Sequence, residues 1–428
     1  MNEPDLVLGP LLRYVDESQA TVWVETSGPC VVEVLGSHAQ TFEVEGHYYA
    51  LVVISGLRPG ETAAYSVSID GRRVWPEAHA TTPPSTIRTR LPGAPLRLAF
   101  GSCRVAAPHE GRYNSISRKE KVGRGVDSLR ALAMRLRDAE PETWPDALLF
   151  VGDQVYADDV SPGTAEFIRG RRSVTQPPFE QVANFEEYTE LYKESWSSPE
   201  IRWLLSTVPT AMIFDDHDMH DDWNTSDVWR RQMWAKPWWK ERIVGGLMSY
   251  WVYQHIGNLS PEELEQDPIF GSLVDGIDLG PKLRQFALDA DQHPEGVRWS
   301  YRREWGRVRL LVIDSRSARV LTPRQREMLD PDEWLWLEDQ AKEPCDHLLL
   351  VTSLPYLLPH AIHDVEAWDE AICDGAWGKP GRWFGEKIRQ AIDLEHWAAF
   401  QLSFARDAAY QVRRSGLGPA SDGHRSVR

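Results

Sequence analysis

The sequence predicts a mixed fold: a separate all-β unit over residues 6–85, followed by an α/β domain over residues 95–410. Three observations predict it. Short alternating runs punctuated by turn residues crowd the first part of the chain. From Leu96 onward, continuous apolar runs alternate with stretches of helical length. Between the two styles, Thr81-Thr82-Pro83-Pro84-Ser85-Thr86 has the composition of a linker.

The β-rich runs are LVLGPLLRYV, ATVWVET, VVEVLG, QTFEVE, YYALVVISGL, AAYSVSID and RRVW. Turn chemistry breaks them at Asp16-Glu17-Ser18, Ser27-Gly28-Pro29, Arg58-Pro59-Gly60 and Asp70-Gly71. About seven strands in about 80 residues is the density of an immunoglobulin or fibronectin type III sandwich. GLRPGETAAYSVSID also resembles the fibronectin type III pattern, in which a Leu-x-Pro-Gly turn leads into a Tyr-bearing strand.

In the second unit the apolar runs are LRLAFGSC, DALLFVGD, TAMIFDDHD, VRLLVIDSR and HLLLVTSLP. Helix-compatible stretches lie at Ser128–Glu140, Phe185–Ser195, 228–255 and Asp332–Ala341. VRWSYRREWGRVRLLVID reads as a hairpin turning at Gly306, which makes the sheet mixed.

Bulk properties narrow the function classes. A formal charge of −17 over 428 residues argues against an extended nucleic-acid surface, which needs positive potential. No apolar run reaches the roughly 20 residues of a membrane span. MNEPDLVLGPLLRYV has no basic leader followed by an apolar core, so the sequence reads as cytoplasmic, with no membrane partner. Cys30, Cys103, Cys345 and Cys373 are scattered and read as reduced thiols. The 19 tryptophans include Trp229, Trp234, Trp238 and Trp239, expected in a helical insertion packed over a cleft rather than in a sugar-stacking platform. Arg112, Arg118, Lys119, Lys121 and Arg124 form a basic stretch, either a solvated loop or a local attractor for an anionic substrate.

The chemistry lies at the strand ends. LRLAF runs into Gly101-Ser102-Cys103-Arg104, and ALLFV into Gly152-Asp153 with Tyr156 close behind. TAMIF runs into Asp215-Asp216-His217-Asp218, and RLLVI into Asp314-Ser315-Arg316. Open α/β sheets bind ligands beyond the carboxyl ends of their strands, so these groups share one edge. Singly, each has a plain structural reading: Gly-Asp as a turn, Cys103 as a small buried hydrophobe, Asp314 and Arg316 as an ion pair. Four consecutive ionisable residues closing an apolar strand are different, because they repel unless water or a cation neutralises them.

FGSCR, GDQVYADD, FDDHDMHDDWN and VIDSR, in this order, resemble the PhoD-like phosphatases (alkaline phosphatase D family) of the calcineurin-like metallophosphoesterase superfamily. The fibronectin-like start and LEHWAAFQLSF, similar to the family's Glu-x-Trp-x-x-Phe segment, fit the same family. The resemblance implies an α/β/β/α sandwich and a metal-dependent phosphomonoesterase or phosphodiesterase acting on small phosphate esters. It implies Asp153 as a carboxylate bridging two metals, Cys103 and Tyr156 as ligands of Fe³⁺, and Asp216 as a ligand of Ca²⁺ or another divalent ion. It implies His217 as the catalytic histidine. Arg104 and Arg316 are expected to hold non-bridging phosphate oxygens, since guanidinium geometry matches them.

One expectation runs against activity. The family continues past its Trp-x-x-Phe helix into a strand ending in Ser-Gly-Asp-Val-His, whereas here the chain passes into QVRRSGLGPASDGHRSVR. Residues 411–428 are expected to be a disordered tail, with Asp422-Gly423-His424 a poor substitute and His360 and His363 partial ones. The alternative function is therefore a truncated or degenerate member that binds a ligand or partner without catalysis. Oligomeric state is open at this stage.

Overall fold

A computed structural model describes residues 3–117, 119, 122–273 and 276–406. Arg118, Lys121, the tail and Asp422-Gly423-His424 lie outside the described residues.

The N-terminal unit contains β1 (Leu6–Val15), β2 (Ala20–Thr26), β3 (Val31–Val34), β4 (Ser37–Gln40), β5 (Phe42–Val44), β6 (His47–Ile54), β7 (Thr62–Ala64), β8 (Val67–Ile69), β9 (Arg72–Trp75) and β10 (Thr86–Arg88). Two antiparallel sheets, β1-β2-β6-β5 and β4-β3-β8-β9, make the sandwich, and β7 pairs with β10 beside them. The alternation of β2 and β6 explains the packing, because successive side chains point to opposite faces. Val22, Val24, Ala50 and Val52 fill the space between the sheets. Trp23, Tyr49 and Leu51 face the other way, into the core of the second unit.

Two expectations are corrected here. The β unit is not separate: its outer face is part of the main core. Nor is Thr81–Thr86 a loose linker. Trp203 donates its indole N–H to the Pro83 carbonyl at 2.9 Å, and the Ser85 and Ser206 hydroxyls meet at 2.6 Å.

The second unit runs β11 (Leu98–Gly101), α1 (Ser128–Arg137), β12 (Ala147–Val151), α2 (Pro162–Arg171), α3 (Phe185–Trp196), α4 (Pro199–Thr207), β13 (Thr210–Ile213), α5 (Asp227–Trp234), α6 (Trp239–Ser249), α7 (Pro261–Gln266) and α8 (Gly280–Gln292). It ends with β14 (Tyr301–Trp305), β15 (Val308–Ile313), α9 (Pro331–Lys342), β16 (His347–Thr352), α10 (His360–Cys373) and α11 (Gly378–Ala391). β11-β12-β13 is a parallel sheet. In β14-β15-β16 the first pair is the antiparallel hairpin turning at Gly306, and the second is parallel. Leu310, Val312, Leu349 and Val351 pack toward β12 and β13, while Leu311, Ile313, Leu348 and Leu350 pack with Trp334 and Leu337 of α9. Sheet lies on sheet with helices outside, as the family resemblance implies.

Of the packing roles expected for the tryptophan-rich segment, core or lid, most of it takes the first. Residues of α6 and the π-helical turn Tyr250–His255 are almost all buried, and Tyr253 stacks on Tyr192 at 4.2 Å. β11 and β16 are less buried than their apolar runs suggest, because each pairs on one side only among the described residues. Phe100 on β11 is 80% exposed.

Candidate metal centre

β12 and β13 place their carboxyl ends side by side, and glycine makes the approach possible. Gly152 has φ +93°, and a Cβ there would lie 2.6 Å from the Asp215 Cβ and 3.1 Å from the Ser353 Cβ. The next residue, Asp153, also takes a left-handed conformation (φ 47°), as does Cys103 at the end of β11 (φ 54°). Such conformations cost energy for residues with a side chain and concentrate at functional sites. Backbone bonds from Cys103 to Gly152 (3.4 Å) and from Arg104 to Asp153 (3.3 Å) continue the parallel ladder, so Cys103 and Asp153 emerge as neighbours.

Asp153, Asp215 and Asp216 form a buried triad whose carboxylate oxygens lie within 4.8 Å of one another. Asp153 is only 2% exposed; its Oδ1 has no hydrogen-bond partner, and its Oδ2 accepts from the Tyr156 hydroxyl at 3.4 Å. Burial first, then the charges of Asp215 and Asp216, push its carboxyl up to about 7. Burial and then Asp153 push the Cys103 thiol up to about 11, and the same two causes, in that order, raise the Tyr156 phenol. A desolvated carboxylate with an orphaned oxygen, flanked by further carboxylates, a thiol and a phenol, fits a cation in physical terms: the ion would relieve each of these shifts.

Asp218 is the brace beneath the triad. Its Oδ2 accepts from the Asp215 N–H at 2.9 Å, and its Oδ1 from the N–H groups of Gln154 (3.2 Å) and Val155 (3.3 Å). One buried carboxylate thereby ties the loop after β12 to the loop after β13.

His217 lies at the rim, its ring 4.7 Å from that of Tyr156. Its Nδ1 meets the Asp158 Oδ1 at 2.9 Å, and its Nε2 lies 3.7 Å from an Asp221 carboxylate oxygen. Burial opposes its charge, but the hydrogen bond and charge of Asp158, with Asp216 and Asp153 beyond, outweigh that and push it up to about 10. Asp216, His217 and Asp221 also bring ligand atoms within 4.8 Å of one another.

The structure brings Cys103, Asp153, Tyr156, Asp216 and His217 close together, but it commits both arginines elsewhere. Arg316 is fully buried: its Nε donates to Asp215, one Nη lies 3.1 Å from Asp216, and both Nη groups grip Glu395. Arg104 donates to Asp127 at 2.8 and 3.1 Å and to the Ser195 carbonyl and hydroxyl at 2.7 Å. Every guanidinium nitrogen of both is engaged, so the phosphate-holding expectation is corrected: Arg316 positions the triad, and Arg104 anchors the start of α1. Asp314 accepts three backbone N–H groups and closes a turn. His363 accepts the Leu358 N–H on Nε2 at 2.7 Å, which removes that nitrogen as a free ligand.

Sequence reasoning missed Asp158 and Glu395. Both stood inside motifs already singled out, GDQVYADD and LEHWAAFQLSF, but only the fold shows what they touch.

Residues 133–342 match the family model described as PhoD-like phosphatase, and residues 3–87 match a domain of unknown function, DUF7800. Among solved structures, one of PhoD matches with a TM-score of 0.52 and 13% identity, over 84% of this chain and 64% of that one. The purple acid phosphatase PPD1 of yellow lupin (Lupinus luteus) matches with a TM-score of 0.38 and 12% identity, over 82% of this chain and 50% of that one. The chain thus spans about 64% of the length of the PhoD structure it matches. No curated protein matches it. Residues 133–342, the stretch that matches the PhoD-like phosphatase model, carry Asp153, Tyr156 and the Asp215–Asp218 segment.

Proposed function

From that family match and the geometry of the centre, we propose that the chain is a metal-dependent phosphoric ester hydrolase acting on small phosphomonoesters or phosphodiesters at a two-metal site. The observation that carries the reading is the buried Asp153–Asp215–Asp216 triad with its orphaned Asp153 Oδ1. Cys103, Asp153, Tyr156 and Asp216 would hold the ions. The thiol and phenol suit Fe³⁺, and the carboxylates suit Ca²⁺ or another hard divalent ion. When bound, such ions supply an activated water and neutralise charge at phosphorus.

The protein's own groups do the rest. Asp158 holds Nδ1 of His217 and keeps the imidazole charged at neutral pH. Nε2 is then the proton-bearing atom that can donate to a departing alkoxide. Arg316 holds Asp215 and Asp216 in place from behind, leaving the opposite side of the triad to ligands. The test is turnover of a chromogenic phosphodiester by the full chain with Ca²⁺ and Fe³⁺, its loss on chelation, and elemental analysis of the same protein. Absence of both metal and turnover overturns the reading. Bound metal without turnover on mono- or diesters selects the non-catalytic, ligand-binding alternative.

A further inference from the structure

The helical hairpin α10–α11 is built inside out. Its buried face is charged: Glu366, Asp369, Glu370 and Arg389 are all buried, and Arg389 pairs with Asp369 at 3.2 Å and Glu370 at 2.7 Å. Its seam is made by glycine. A Cβ on Gly385 would lie 2.8 Å from the Cys373 sulfur, and one on Gly381 would lie 2.5 Å from the Trp377 Cβ. Ile372 is the one large apolar side chain of α10 buried in that seam, and the others turn outward. Ile362, Val365 and Trp368 form an exposed stripe along α10, and Trp368 meets Trp377 edge-on at 5.6 Å. Trp377, Trp383 and Phe384 are 59%, 67% and 48% exposed.

Soluble proteins seldom leave an apolar face of this kind uncovered. The charges around it say what covers it. Along α11 the exposed charged residues are Lys379, Arg382 and Lys387, all basic, while the exposed acids Asp364 on α10 and Asp393 just past α11 lie at its margins. The acidic residue of that stretch, Glu386, is turned inward to Ser226, Gln390 and Arg389. A basic helix bearing exposed aromatic side chains, on a chain of net charge −17, is complementary to an anionic, apolar-cored surface. Indole rings favour the bilayer interface for the same reason that Lys and Arg favour its headgroups.

We propose that the α10–α11 face docks on the surface of an anionic phospholipid bilayer, with Trp377, Trp383 and Phe384 entering the interface and Lys379, Arg382 and Lys387 meeting lipid phosphates. The sequence gives no reason to expect a membrane partner, because no segment is long enough to span one. No helix among the described residues is long and apolar enough to cross a membrane, but a surface contact needs none. The hairpin also adjoins the metal centre, since Glu395, which grips Arg316, follows α11.

The test is co-sedimentation of the full chain with vesicles of phosphatidylcholine alone and of phosphatidylcholine mixed equally with phosphatidylglycerol. Binding to the mixed vesicles should be at least about tenfold tighter. The double variant Trp383→Ala/Phe384→Ala should lose about tenfold in affinity. Lys379→Glu/Lys387→Glu should erase the preference for anionic vesicles, and both variants should melt like the parent because the changed side chains are exposed. Three outcomes overturn the proposal: no co-sedimentation of the parent chain, equal binding by the variants, or self-association abolished by Trp383→Ala/Phe384→Ala without lipid binding. The readout does not involve hydrolysis, so it stands or falls separately from the proposed activity.

Discussion

His217 and Glu395 show how single charges are set in this centre, and each carries a prediction. Removing the His217 imidazole takes away the proton donor but no triad carboxylate. His217→Ala should lower turnover on a phosphodiester by about 10²–10⁴-fold while elemental analysis finds the metal retained. Asp158→Asn should lose less, on the order of 10- to 100-fold, and shift the alkaline limb of the pH–rate profile downward, because the partner that keeps His217 charged is gone. An unmoved alkaline limb would remove His217 as the acid. Glu395 is buried, which works against its charge, yet Arg316 and Arg319 hold its carboxyl down to about 2, below its ordinary 4.5. A depressed carboxylate stabilises the fold above its unfolded value and loses that contribution as pH falls from about 4.5 toward 2. Glu395→Gln removes one of the three carboxylates that hold Arg316 and should cost about 1.5–3 kcal/mol at neutral pH. The gap between parent and variant in urea melts should close on acidification, and a gap independent of pH would refute the pairing. The residue types at the strand ends were legible because strand geometry forces them to one edge. Arg316 was misread because its partner Glu395 lies 79 positions away and nothing local reveals it.

At the scale of elements, the long apolar runs and helix-compatible stretches became β11, β12, β13, β15 and β16, and α1, α3, α5, α6 and α9, as read. What the runs could not show is which strands lie at edges: β11 and β16 have the composition of central strands but pair on one side only among the described residues. The helices α10 and α11 escaped notice for a related physical reason. Helix recognition assumes an apolar inner stripe, and here the inner stripe is ionic. The turn after β12 makes a sharper claim. Gly152→Ala would put a methyl group 2.6 Å from the Asp215 Cβ at a φ that alanine avoids. The expected cost is about 1–3 kcal/mol of stability, together with lost metal content, since the displaced backbone carries Asp153. A Gly152→Ala protein with the parent's melting temperature and metal content would show that the close approach of β12 and β13 is not needed to build the site.

For the molecule as a whole, the sequence suggested a β-sandwich tethered to a catalytic domain, and the change of style near residue 90 is real. The independence was inferred from a Pro-rich segment whose composition cannot reveal that it is pinned, and from β strands whose second apolar face has no visible partner in sequence. The packing argues for one cooperative unit. Trp23 lies 5.3 Å from Tyr253, and the Tyr49 and Tyr253 hydroxyls meet at 3.1 Å. Arg13, fully buried on β1, donates to the carbonyls of Tyr253 at 2.6 Å and Gln254 at 2.7 Å and to the Asn258 side chain at 3.2 Å. The fit is close, since a Cβ on Gly257 would lie 2.4 Å from the Arg13 guanidinium carbon. Those carbonyls end the π-helical turn that packs beside β13, so the β unit buttresses the strand from which the Asp215–Asp218 loop departs. The full chain should therefore unfold calorimetrically in one transition, with van't Hoff and calorimetric enthalpies equal. Arg13→Ala, which leaves buried carbonyls without donors, should lower stability by more than about 3 kcal/mol without splitting the transition. A fragment of residues 3–87 should expose Trp23, Phe42, Tyr49 and Leu51 and so self-associate. Two resolved transitions in the full chain, or a monomeric and cooperatively folding fragment, would restore the tethered arrangement and leave the metal centre to the α/β unit alone.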